Sequence, residues 1–412
     1  MLQVARELVR RGHEVRWYTG KVYREKIERI GAAYVPMCAG YDYSGANREE
    51  AFPHHTGFTG IKGMTKGFSD IFLATADGQM QDLLDALDAV PADILVTDET
   101  CFAAGFIRER TGIPQAWVAT SIYIFSSRDT APLGLGLRPN GSPLGKLRNK
   151  LLRWVADTVI LRELRRQGDR ARARAGLSPL DTGAFENIVE PPDLYLLGTV
   201  PAFEYPRSDL LPQVHFTGPY VGEPVEHFEP PAWWSELRVD RPVVHVTLGT
   251  VANDVERLLL PALRALAKED VFVVATTGVR PERLDLAPLP ANIRIEKFIP
   301  HHHLLPHVDV MVTNGGYGGV NMALAHGVPL VVAAATEEKY EVAAHVSWAG
   351  VGIHVKDGAR LETRLRKAIL RVLREPAYRQ KAGALRDEYR RYDGPRKAAE
   401  LIETLVDERP LK

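Results

Sequence analysis

Short apolar runs rich in Val, Ile and Leu alternate along this chain with longer stretches whose apolar side chains return every three or four positions. The first pattern predicts strands buried on both faces and the second predicts amphipathic helices. Their regular alternation predicts parallel α/β sheets. In the first half the strand runs are residues 13–19, 32–37, 93–98, 115–121 and 194–199. In the second half they are 243–248, 271–277, 293–295, 308–313, 329–333 and 352–355. Between the halves, residues 218–231 read G-P-Y-V-G-E-P-V-E-H-F-E-P-P, a proline- and acid-rich segment without period that marks a linker. The expected architecture is two similar α/β domains with a ligand crevice between them. Their expected bounds are 1–220 and 241–385, with a linker at 221–240 and C-terminal helices at 386–412 that can cross back to the first domain.

Composition narrows the class. The 412 residues, 45% hydrophobic and 25% charged, are too many for one ordinary core and suit two domains. A formal net charge of +0 argues against a nucleic-acid-binding protein. Two cysteines, Cys38 and Cys101, form no disulfide framework or zinc cluster, and no bilayer-spanning run or cleavable signal is visible. The expected location is the cytoplasm.

The chemistry concentrates where the run 308–313 ends. There the chain reads T-N-G-G-Y-G-G-V-N-M, with Gly315, Gly316, Gly318 and Gly319 at the start of a helical stretch and a second apolar strand after Gly327. Glycine lets backbone approach a ligand closely, and the first N–H groups of a helix, backed by its dipole, suit a phosphate or diphosphate. A dinucleotide fingerprint would need glycine where Asn321 stands, and a P-loop would need Lys after Gly319 where Val320 stands. Both common readings fail.

This block resembles the donor-site signature of the family 1 nucleotide-sugar glycosyltransferases, particularly the bacterial macrolide-type branch, and the resemblance covers nearly the whole chain. It implies a GT-B fold: two Rossmann-like parallel-sheet domains facing a central cleft, the first for the acceptor and the second for the nucleotide sugar. The family's diphosphate grip matches Gly249 and Thr250 of T-L-G-T and the loop Asn314 to Gly319, with the Val320 N–H behind it. In K-F-I-P-H-H-H, Phe298 matches the residue that stacks on the nucleotide base and Ile299 the one that offers backbone groups; Glu338 and Lys339 match the sugar-binding acidic–amide pair. Three positions depart from the pattern. Asn314 replaces a histidine, Met322 replaces the ribose-binding glutamate, and Lys339 replaces a glutamine.

The catalytic half of the resemblance is incomplete. The first eleven residues read as an amphipathic helix ended by Gly12, whereas a parallel α/β domain should begin with a strand. In the family that strand and its loop carry the base histidine, so the base is expected upstream of Met1; His13 matches the G-H-E-V turn instead. Either the start lies late or the protein is a variant without the base. The aspartate that orients the histidine matches Asp98 of D-I-L-V-T-D-E-T, whose alternative reading is a cap on the helix that follows.

Three further segments bear on partners. The loops 41–68 and 130–146 follow strand runs and suit a bulky second substrate, with Phe52, Phe58, Met64 and Phe68 as candidate acceptor-binding walls. His301, His302 and His303 invite a metal reading, but neighbours in a loop diverge and no spaced partner ligand accompanies them. No D-x-D occurs either, so no metal and no cofactor is expected. Residues 146–174 hold ten Lys/Arg and three Asp/Glu, net +7, with apolar residues interleaved. A core-facing helix with a solvated outer side is the favoured reading, and peripheral membrane contact is the lesser one.

The expectation is thus an inverting, metal-independent transfer of a sugar from a UDP- or dTDP-sugar to a hydroxyl of a hydrophobic small molecule, such as a polyketide or a lipid. Its alternatives are a catalytically impaired binding or auxiliary protein of the same fold, and a nicotinamide-dependent oxidoreductase, against which the failed fingerprint counts.

Overall fold

The structure, a computed structural model, describes residues 1–46, 48–53, 60–222, 227–238, 241–248, 255–278, 289–334 and 337–408. Its strands are β1 (Arg16–Tyr18), β2 (Ala33–Val35), β3 (Leu95–Thr97), β4 (Gln115–Val118), β5 (Leu194–Leu197) and β6 (Val214–Phe216) in the first half. The second half holds β7 (Val243–Thr247), β8 (Phe272–Thr276), β9 (Ile293–Glu296), β10 (Val310–Thr313), β11 (Leu330–Val332) and β12 (Gly352–His354). Every ladder between them is parallel. Each apolar run read from the sequence contains a strand. The addition is β6, three residues between prolines, too short for any periodicity to register.

The second half is one six-stranded sheet in the order β12-β11-β10-β7-β8-β9. Its side chains separate by strand parity. Met311, Leu330 and Val332 enter one apolar layer, while Val310, Val312 and Val331 enter the layer on the opposite face. Burial on both faces explains why these strands are continuous Val-rich runs rather than alternating ones. From β7 the chain builds outward through β8 and β9, then crosses to the other side of β7 to build β10, β11 and β12. That reversal opens a crevice at the carboxyl ends of β7 and β10, where open α/β sheets bind ligands.

The first half carries two sheets, β1-β2 and β3-β4-β5-β6. Helix Leu2–Arg10 buries Val4 and Leu8 in a layer shared with Ala116, Val118, Leu194 and Leu196 of β4 and β5. The same layer contains Ala398, Ala399 and Ile402 of helix Gly394–Asp407, so the end of the chain packs on its beginning. Arg11 and His13 close that contact on Glu403, at 2.5 and 2.7 Å. Among the described residues no helix is long and apolar enough to cross a membrane.

Candidate functional site

At the crevice of the second half, the side-chain amide of Asn314 donates to the carbonyl of Leu248, joining the residue after β10 to the residue after β7. Gly249 and Thr250, which follow Leu248, lie outside the described residues. Gly315 is buried with φ +92, and a Cβ there would lie 3.0 Å from Val332 and 3.1 Å from the carbonyl oxygen of Lys339. The fold itself demands that glycine. The other three differ. An added Cβ at Gly316 or Gly319 would make only ordinary contacts, at 3.9 Å and 3.6 Å, and at Gly318 it would meet nothing within 4 Å. None of the three has a positive φ.

Gly316 caps helix Tyr317–Ala325, and Gly318 and Gly319 occupy its first turn. Each glycine inside a helix costs roughly 1 kcal/mol relative to alanine, so a glycine with no internal reason points to something external that must come close. The N–H groups of Tyr317, Gly318 and Gly319 are first-turn donors that no intrahelical carbonyl reaches. Val320 is different. Its N–H already bonds the Gly316 carbonyl at 3.0 Å and its side chain is fully buried, so it is removed from the expected phosphate contacts.

The other expected donor residues lie on separate elements. Phe298, after β9, is 69% exposed, a free face on which a planar ring can stack. Ile299 sends its side chain into the core, leaving only its backbone to a ligand. Helix Glu337–Ala349 starts beside the glycine loop, since the Lys339 backbone packs against Gly315. The side chain of Glu338 lies outside the described residues. Met322 packs at the edge of the core and has no polar group to offer.

The three consecutive histidines diverge: His301 turns to His245, His302 to His326, and His303 stacks on Phe228. Burial, then His326 and His302, lowers His301 to about 4, which leaves it neutral at physiological pH. Among the described residues no three His, Cys, Asp or Glu side chains are placed to hold a metal ion.

On the facing half, Asp98 follows β3 and its Oδ1 accepts from the Thr100 backbone at 2.7 Å and the Thr100 hydroxyl at 2.5 Å. Helix Phe102–Thr111 begins later, at the Cys101 cap position, which lacks a side-chain cap bond. The cap reading of Asp98 is therefore replaced by a local turn. Around Asp98 lie the N-terminal ammonium, Tyr43, Glu99 and Cys101. Burial lowers the pKa of the ammonium, while Asp98 and Glu99 pull it upward. Burial, and then Asp98, raises the Tyr43 phenol.

Glu99 is a feature the sequence reading passed over. Burial, with Asp98 adding repulsion, pushes it up to about 7, although Thr120 donates to it from backbone and hydroxyl at 2.9 and 3.1 Å. The signal was present as two adjacent acids at a strand end.

The expected acceptor walls divide. Phe52 packs edge-on against Tyr41 and Tyr43, at 5.8 and 5.3 Å between ring centres, so it belongs to an aromatic group that reaches the neighbourhood of Asp98 through Tyr43. Phe68 is corrected: it packs against Phe72, Phe102 and Phe185, as part of the apolar layer beneath the sheet. Phe58 and the side chain of Met64 lie outside the described residues. The loop 130–146 reaches across to the second half, where Gly134 and Gly136 donate backbone N–H groups to Glu341, at 3.0 and 3.1 Å.

Residues 260–406 match the family model described as erythromycin biosynthesis protein CIII-like, C-terminal domain. The chain is 63% identical to 4'-demethylrebeccamycin synthase of Lentzea aerocolonigenes over 98% of its own length and 96% of the relative's. It is 31% identical to UDP-glycosyltransferase 2 of Phaeomoniella chlamydospora, over 97% and 91%. Among solved structures, the calicheamicin glycosyltransferase CalG4 superposes with a TM-score of 0.73 at 22% identity, covering 99% of this chain and 94% of the other. A glycine-led helix at the switch point, a facing half with Asp98 at a strand end, and relatives matched end to end make this chain a member of the family 1 nucleotide-sugar glycosyltransferases, of the antibiotic-biosynthesis type and with the GT-B fold.

Proposed function

We propose that the protein catalyses inverting, metal-independent transfer of a sugar from a UDP- or dTDP-sugar to a hydroxyl group of a hydrophobic small molecule. The observation that carries this reading is Gly316, Gly318 and Gly319 at the switch-point helix, three glycines that neither backbone conformation nor neighbouring atoms require. In the proposed reaction the acceptor hydroxyl loses its proton to a base and its oxygen forms a bond to the sugar's anomeric carbon. The bond from that carbon to the diphosphate breaks on the opposite side. First-turn N–H groups and the helix dipole take up the charge of the leaving diphosphate. Phe298 stacks on the nucleotide base, and Glu338 and Lys339 hold the sugar. Independence of metal is supported by the absence of any D-x-D in the sequence.

In this reading Asp98, at the end of β3, orients the group that takes the acceptor's proton. The aromatic group of Tyr41, Tyr43 and Phe52 suits an apolar acceptor. A cytoplasmic location belongs to the same proposal, supported by two unpaired cysteines.

Thermal unfolding with UDP, dTDP and NAD⁺ tests the donor site. A ligand at about a hundred times its dissociation constant stabilises by roughly 2.7 kcal/mol, so UDP or dTDP should raise the midpoint and NAD⁺ should not. No shift with either nucleotide rejects the reading. Asp98→Asn should leave that nucleotide shift intact and slow sugar transfer by roughly a hundredfold or more. An unchanged rate reduces Asp98 to the turn it makes with Thr100. If the parent binds nucleotide but transfers no sugar, the auxiliary-protein reading takes over.

A further inference from the structure

Helix Pro143–Val155 is inside out. Its inward side carries Gly145 and Asn149, both buried, whereas Leu144, Leu147, Leu151 and Trp154 are between 60% and 79% exposed. These four recur at helical spacing and form one row along the outer side. Val159 and Ile160, in the turn just after the helix, are also exposed. The core-facing expectation for residues 146–174 is thereby reversed in this helix, whose apolar side faces outward, while helix Arg162–Arg174 keeps it and buries Leu164 and Ala171.

The rotation of the helix is fixed by specific contacts. Ser142 caps it by accepting from the Gly145 N–H at 3.1 Å. A Cβ on Gly145 would come within 2.3 Å of the Asn140 carbonyl, so only glycine lets the first turn lie this close. Asn149 is fully buried, donates to the Arg128 carbonyl at 3.0 Å and accepts from Arg148 at 2.8 Å. Turning the apolar row inward would break the Asn149 bond to Arg128 and leave that carbonyl unpaired.

The row also dominates the exposed apolar surface. Among the described residues, nine of the fifteen exposed large hydrophobic side chains lie between Leu133 and Ile160. Concentration of that kind marks an interaction surface rather than scattered exposure. The charge of the helix says what it meets. It carries Lys146, Arg148, Lys150 and Arg153 and no acidic residue, in a chain of zero net charge. By helical spacing Lys150 flanks the row on one side and Arg148 on the other.

We propose that helix Pro143–Val155 is a membrane-surface anchor that lies flat on an anionic lipid bilayer, with Leu144, Leu147, Leu151 and Trp154 in the acyl–headgroup boundary and the exposed Lys150 among the headgroups, while Lys146 pairs with Asp129 and Arg153 bonds the Ser127 carbonyl on the inner side. A leucine row ending in tryptophan between cations is the composition that partitions into such an interface. Pairing with a second copy through the same row would bring the flanking cations Lys150 and Arg148 against their counterparts with no acid on the helix between them. The lipid surface meets both features at once, the apolar row and the exposed cation at its edge.

The test is co-sedimentation of the full chain with vesicles of phosphatidylcholine alone and of phosphatidylcholine mixed with phosphatidylglycerol, in low and in high salt. Binding is expected to the anionic vesicles only, and salt should weaken it. Leu147→Ser combined with Leu151→Ser should remove it. Lys150→Glu should reduce partitioning roughly tenfold or more. All three side chains are exposed, so the unfolding midpoint of both variants should match the parent's. Failure of the folded parent to bind anionic vesicles, or binding that neither variant changes, overturns the proposal. A parent that self-associates while the double-serine variant stays monomeric overturns it too, and gives the row to a second copy.

Discussion

A Gly318→Val chain is expected to unfold at the parent's midpoint and yet to bind UDP or dTDP more than about a hundredfold more weakly. The two halves of that expectation come from different observations. Gly318 is exposed in the first turn of helix Tyr317–Ala325, and a Cβ there meets no atom within 4 Å. Valine is also a better helix residue than glycine, so nothing in the folded chain resists the change. What the isopropyl group obstructs is the space in front of the helix, where a diphosphate oxygen must come within hydrogen-bonding distance of backbone N–H groups. Losing two such charge-assisted bonds, at roughly 1.5–3 kcal/mol each, corresponds to a hundredfold or more in dissociation constant. Titration calorimetry with the nucleoside diphosphate reads the loss directly. Undiminished affinity in a normally folded variant would move the phosphate site away from this helix. Gly315→Val is not an equivalent experiment, because φ +92 and the close approach of Val332 and Lys339 make it a folding variant first.

What could be read from the sequence follows from how local each signal is. The strands of the second half announce themselves because a parallel strand buried on both faces is one continuous valine-rich run, and β7, β8, β10 and β11, buried throughout, are all of that kind. β6 escaped because three residues between prolines carry no period. The glycine loop was visible as a cluster, but its division into one glycine demanded by the fold and three that are not needed Val332 and Lys339 to be set beside Gly315. Helix Pro143–Val155 was legible as an amphipathic helix and misjudged in direction. Periodicity separates two faces of a helix without saying which one turns inward, and here the buried bond from Asn149 to the Arg128 carbonyl decides. Contacts between the halves left no trace in the sequence at all. Glu204 and His345 are 141 positions apart, and nothing near either one announces the other.

That pair carries the second large effect. Glu204, in the segment after β5, and His345, on helix Glu337–Ala349, are both fully enclosed and meet at 2.8 Å. The same carboxylate oxygen accepts from Arg207 at 2.9 Å, and the other accepts from the Tyr123 backbone at 3.2 Å. On its far side the His345 ring faces the Glu341 carbonyl at 2.9 Å. Burial works against an ionised Glu204, but His345 and Arg207 outweigh it and hold the carboxyl at about 2, below the ordinary 4.5. Glu204→Ala would leave the enclosed Arg207 guanidinium without its anion and the His345 ring without its partner, which typically costs about 3–5 kcal/mol. The variant's unfolding midpoint at neutral pH should therefore fall by several degrees. The acid side supplies an independent check. Because the folded-state value lies below the unfolded one, the stabilisation is fully present above pH 4.5 and is lost as pH falls toward 2. The gap between parent and variant should accordingly narrow as urea unfolding is repeated from neutral pH down through that window. A gap independent of pH there would mean that Glu204 joins the halves through packing alone. Glu341, one turn before His345, also holds Gly134 and Gly136 of the facing loop, so loosening this helix should weaken the order of that loop together with stability.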